Sequence, residues 1–172
     1  MVDPFNDMPL LGPAAVVAMA VALGLAVPVG RWLRAPAPVA FLLLASAGAV
    51  VAATLTPTAP NPWSTGCQAG ALALPRLVQL RHLNETSLNV ALFVPLGLAC
   101  GLLPGRGRAA AACAVAAAVP AGIELVQSEV TWLNRVCATA DIVANLIGLT
   151  VGVAVAVVLI RPWLGHFPPD RP

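Results

Sequence analysis

Apolar residues gather into five long blocks, at about residues 9 to 30, 37 to 55, 86 to 103, 109 to 127 and 139 to 160, with polar residues concentrated in the stretches between them. Each block has roughly the 20 residues that an α-helix needs to cross ~30 Å of hydrocarbon. Period-two alternation is absent and the blocks are too long for barrel strands. The pattern predicts an all-α polytopic membrane protein of about five transmembrane helices, with residues 1–172 forming a single domain. The first block follows MVDPFNDMP, which carries Asp3 and Asp7 and no basic residue. A retained span is therefore expected rather than a cleaved signal peptide, whose leading segment is positive.

Composition sharpens this picture. The chain is 59% hydrophobic and 9% charged, with a mean hydropathy of +0.89, whereas soluble domains carry about 25% charged residues. A net charge of +2 with no basic run argues against nucleic acid as a partner. Arginines set the expected orientation. Arg31, Arg34, Arg106, Arg108, Arg161 and Arg171 follow the first, third and fifth blocks, while Arg76, Arg81 and Arg135 lie in the other two loops. The positive-inside rule then places the N-terminus outside and the C-terminus in the cytoplasm. Trp32 and Trp163 at inner ends, and Trp63 and Trp132 at outer ends, suit interfacial aromatic rings.

Polar positions recur at one end of three blocks. Glu85 and Asn89 open the third, Glu124 and Gln127 close the fourth, and Asp141 and Asn145 open the fifth. Residues three or four apart share a helix face, so each helix offers an acid and an amide on one stripe at similar depth. Charged groups at membrane depth cost about 2.5 kcal/mol or more at the centre of a span, and Arg135, between the fourth and fifth blocks, is the expected partner of these acids. The same stripes continue into Gly97 and Gly101 in the third block and Gly148 and Gly152 in the fifth, two G-x-x-x-G motifs suited to close helix contact. The third to fifth helices should form a tight unit with a polar outer mouth.

The motifs NVALFVPLG, IELVQ and R-x5-D-x3-N-x2-G-x3-G, the last being Arg135, Asp141, Asn145, Gly148 and Gly152, resemble the VanZ-like family of bacterial membrane proteins, whose namesake is associated with teicoplanin resistance. The resemblance covers about residues 84–155. It implies functional importance for Asn89, Phe93, Pro95, Gly97, Glu124, Gln127, Arg135, Asp141, Asn145 and Gly148. The chain departs from many members at Asn134, Ala138 and Ala140, where they carry Gly and further acids, so a carboxylate pair on the fifth helix is not expected.

Three readings of the polar set follow. The leading one is an outer-leaflet pocket for an amphiphilic cell-envelope lipid or lipoglycopeptide, bound by Glu85, Asn89, Glu124, Gln127, Arg135, Asp141 and Asn145, with membrane lipids as partners. The second is an intramembrane hydrolase or transferase acting on an envelope lipid, with Glu124 or Asp141 as general acid or base and Arg135 on a phosphate. The third is interhelical hydrogen bonding alone, in a purely structural bundle. Neither H-E-x-x-H nor C-x-x-C occurs, and no cofactor or metal is expected. A transporter fits poorly, because the centres of the blocks are apolar and no repeat is visible. Residues 72–83 predict a short amphipathic helix on the outer surface, able to roof the polar mouth. Cys67 and Cys137 are the two cysteines in outer loops and are expected to form a disulfide. Cys100 and Cys113 are expected to pack as small apolar residues.

Overall fold

The computed structural model describes residues 8–59, 67–68 and 84–165. Outside these residues fall the amphipathic segment 72–83, Asp3, Asp7, Trp63, Arg76, Arg81, His82, His166 and Arg171, together with the side chain of Cys67.

Among the described residues, five helices are long and apolar enough to cross a membrane. Helix α1 spans Leu11–Leu33 and α2 spans Ala37–Leu55. They form a hairpin whose turn is set by Arg34, in the left-handed region at φ 52°. The Arg34 N–H donates to Arg31 O at 3.1 Å and the Ala35 N–H to Gly30 O at 2.8 Å, closing the last turn of α1. Pro38 lies in the first turn of α2, where a missing N–H does no harm. Hydropathy alone ends the first block near residue 30. The helix continues to Leu33 because a chain leaving hydrocarbon has no reason to stop hydrogen-bonding before a capping residue ends it.

Helix α3 spans Glu85–Leu102 and starts on a capping box: Asn84 Oδ1 accepts the Ser87 N–H at 2.9 Å, and Ser87 Oγ accepts the Asn84 N–H at 3.0 Å. Gly105, at φ 83°, turns the chain into α4, Arg106–Glu129. A 3-10 turn at Thr131–Leu133 leads to Asn134, again left-handed at φ 52°. Helix α5, Thr139–Ala154, then runs on through a π-helical stretch, Val155–Ile160, into Arg161–Gly165. Two-residue strands β1 (Cys67–Gln68) and β2 (Cys137–Ala138) pair in parallel, with Cys67 opposite Cys137.

Helices α3 and α5 run parallel in direct contact, with α4 making the return between them. A Cβ on Gly148 would collide with Val90 O, one on Gly152 with Val94 O and one on Gly97 with Leu149 O. Gly101 faces Ala156 and Val153. Both G-x-x-x-G motifs therefore do what their spacing predicts, and they do it against each other. Helix α3 also packs on α2 and α4, and the apolar core of Val50, Phe93, Leu96, Cys100, Ala116, Ile123 and Leu149 draws on all four. Cys100 and Cys113 are free thiols within or beside it, as expected. By contrast α1 buries only Ala22, Ala26 and Gly30.

Candidate functional site

The ends of α2 and α4 and the starts of α3 and α5 meet at one end of the bundle, which brings most of the sequence-selected polar residues together. Glu124 is 5% exposed, and its Oε2 accepts the backbone N–H of Ala138 at 2.7 Å. Ala138 is the residue before α5, so the carboxylate sits against a helix N-terminus, where the free N–H groups and the macrodipole favour negative charge. This answers why an acid closes the fourth span: it ties the end of α4 to the beginning of α5. Asp141, in the first turn of α5, is within hydrogen-bonding reach of the Asn89 amide on α3 and within electrostatic range of Glu124 and Glu85. Glu85 itself is exposed.

Asn145 lies one turn further along α5 on the same face. It is 2% exposed, and its Oδ1 is buried with no hydrogen-bond partner among the described residues. Gly148, three residues on, abuts Val90, so this face is turned toward α3 at the level of Asn89. A buried acceptor without a donor is costly, about 1–3 kcal/mol, and native structures hold few of them.

Two residues depart from the expected cluster. Arg135 was expected to neutralise the buried acids; instead its Nε donates to Thr56 O at 3.2 Å, and one terminal nitrogen donates to Ala53 O at 2.6 Å and Thr56 O at 3.1 Å. The same nitrogen lies 3.4 Å from Met8 Sδ. The last carbonyls of α2 have no intrahelical donors, and a planar guanidinium with five N–H groups serves several at once. Burial pushes the guanidinium pKa down, with nearby Glu85 acting in the opposite sense. Gln127 likewise turns to α2, its Nε2 donating to Thr54 O at 2.9 Å. Beside them, Thr58 Oγ1 donates to Asn134 O at 2.8 Å and the Thr58 N–H to Leu133 O at 3.1 Å. Gln127, Arg135, Asn134 and Thr58 thus clamp α2 to the α4–α5 connection.

Three polar residues at this end, Asn84, Thr58 and Asn134, hold structural roles that the sequence did not assign to them. Asn84 caps α3, a role legible in the N-x-x-S spacing. Thr58 and Asn134 carry no local signal, because their partners lie 76 residues away. At the opposite end Arg161 donates to Leu103 O, closing α3 there much as Arg135 closes α2. Two apolar grooves lie elsewhere, one on α5 lined by Val143, Leu146, Ile147 and Val151, the other between α1 and α2 around Val17, Ala18 and Gly48.

A model of the family described as VanZ/LLP1 matches residues 39–161, more than half of the chain, from the start of α2 to the end of the π-helical stretch. No curated protein and no solved structure matches.

Proposed function

Because this chain belongs to the VanZ-like family, we propose that its polar end recognises an amphiphilic component of the cell envelope, a lipid or lipoglycopeptide, in a manner related to teicoplanin resistance. The head group is held among Glu85, Asn89, Glu124, Asp141 and Asn145 while its chains remain in the surrounding lipid. The observation carrying this reading is the Oδ1 of Asn145, buried without a hydrogen-bond partner among the described residues and one helical turn along α5 from Asp141. A bundle held by interhelical hydrogen bonds alone has no use for an acceptor left empty. Gln127 and Arg135 serve the site in this reading by fixing α2 against the connection that carries Glu124 and Asp141.

The site faces the outer leaflet. Arg31, Arg34, Arg106, Arg108 and Arg161 cluster at the far end of the bundle and Arg135 lies at the near end, which by the positive-inside rule puts the far end in the cytoplasm. A reporter active only in the cytoplasm is expected to work at the C-terminus of the chain and fail at the N-terminus. We also propose a Cys67–Cys137 disulfide. It is supported by the direct pairing of Cys67 and Cys137 in β1 and β2, and by Cys100 and Cys113 being free thiols. Thiol labelling of denatured, unreduced protein should modify two cysteines; modification of four overturns the bridge.

Glu124→Gln tests the site. Gln keeps the shape and can still accept the Ala138 N–H, but carries no charge. The expected outcome is a folded protein with impaired binding of the envelope amphiphile, and a smaller loss for Asp141→Asn. Retained binding with abolished turnover of a lipid would instead identify Glu124 as the acid or base of a hydrolase or transferase. Full activity in the well-expressed variant would reduce Glu124 to a structural role.

A further inference from the structure

With Arg135 and Gln127 committed to α2, the groups left at the mouth are strongly biased toward accepting hydrogen bonds. Glu124 receives one N–H, from Ala138, and Asp141 lies within hydrogen-bonding reach of the Asn89 amide. Among the described residues, the N-terminus of α5 contributes a partial charge of about +0.5, less than the charge of two ionised carboxylates. Asn145 Oδ1 receives nothing. A buried acceptor needs a donor, and a buried carboxyl group stays ionised only beside a cation or strong donors.

We propose, building on the head-group reading above, that the site is specific for a primary ammonium group on a lipid-anchored molecule. An –NH3+ group has three N–H donors and one positive charge, which matches Glu124, Asp141 and Asn145 Oδ1 in number and in sign. A quaternary ammonium supplies the charge but no donor. A phosphate or carboxylate head without an ammonium would bring further negative charge to a place where, among the described residues, the guanidinium at this end is Arg135, already bonded to α2. A metal ion fits less well: no group of three or more His, Cys, Asp or Glu suited to holding one occurs among the described residues. The shared chemistry has two sources in an envelope, an ethanolamine phospholipid and an amino sugar carried on a lipid.

The test uses the full chain in phosphatidylcholine nanodiscs and reads bound ligand by native mass spectrometry. The probes are dodecylamine, dodecyltrimethylammonium and dodecyl phosphate, followed by phosphatidylethanolamine and a glucosaminyl lipid. Dodecylamine is expected to bind at least tenfold tighter than either of the other two dodecyl probes. Asn145→Leu should weaken amine binding without lowering the melting temperature, because it removes an acceptor that the empty protein leaves unpaired. Whichever of the two natural heads competes with dodecylamine identifies the source. Preference for dodecyl phosphate or for the trimethyl head overturns the ammonium assignment but leaves head-group recognition standing. Failure of every amphiphile to bind the folded protein overturns both.

Discussion

Helices α3 and α5 meet backbone to backbone, whereas α1 and α2 meet through small side chains and leave most of α1 uncovered. In the first pair, Gly97, Gly148 and Gly152 each face a carbonyl of the other helix, with no room for a methyl group. In the second, Gly48 faces the methyl of Ala18, while Gly12 and Gly24 face nothing within 4 Å. Val16, Val17 and Leu23 of α1 are exposed to what is lipid in a membrane. Both pairs are rich in Gly and Ala, so composition does not separate them. Register does: glycines spaced four apart on one helix lock only when the facing helix offers backbone at the same heights. The family match respects the same division, beginning at residue 39 and leaving α1 out. The candidate site lies over the locked pair, which fixes the positions of Asn89, Asp141 and Asn145 relative to one another.

The largest expected effect breaks the seam itself. Gly148→Leu should abolish the folded, monodisperse protein on size-exclusion chromatography, since Val90 O is backbone and cannot move aside; Gly24→Leu should leave the elution profile unchanged. Equal behaviour of the two variants would erase the distinction between the pairs. Next is the proposed Cys67–Cys137 bridge, which would tie β1 to the entry of α5. Cys137→Ser is expected to destabilise by about 4 kcal/mol in the chain-entropy account, and a reductant should reproduce that loss in the wild type and have no effect on the variant.

Smaller effects probe how α2 is joined to the seam. Arg135→Met removes charged hydrogen bonds worth about 1.5–3 kcal/mol each, so the melting temperature should fall clearly. Arg135→Lys should recover part of the loss, because one ammonium cannot reproduce the planar fork. Recovery to the wild-type value would mean that charge alone holds α2, without the fork geometry. The mildest change is Asn84→Ala, which removes the cap of α3 at a cost of about 1 kcal/mol. It should speed hydrogen exchange in the first turn of α3 and leave α1 and α2 as they were.

Much of the architecture was legible from residue order. The five spans follow from hydropathy, a local property that holds wherever a segment ends up: the first four helices begin and end within three residues of their blocks, and the fifth begins at Thr139 and its helical continuation runs past its block to Gly165. The glycine stripes were legible for a similar reason, since i to i+4 spacing is a property of one helix. So was the grouping of Asn89, Glu124, Asp141 and Asn145 at one end, once alternation of direction placed two helix starts beside one helix end.

What the sequence could not determine is where each polar side chain turns. Arg135 and Gln127 look, in one dimension, like partners for the acids beside them, yet both reach α2, more than 70 residues earlier in the chain. The reason is physical: the unpaired carbonyls at the end of α2 need donors as much as the carboxylates need cations, and only packing decides which lies closer. Tertiary structure therefore left Asn145 without a donor and the acids without their expected arginine, an imbalance that no spacing rule reveals because it depends on what three other helices supply.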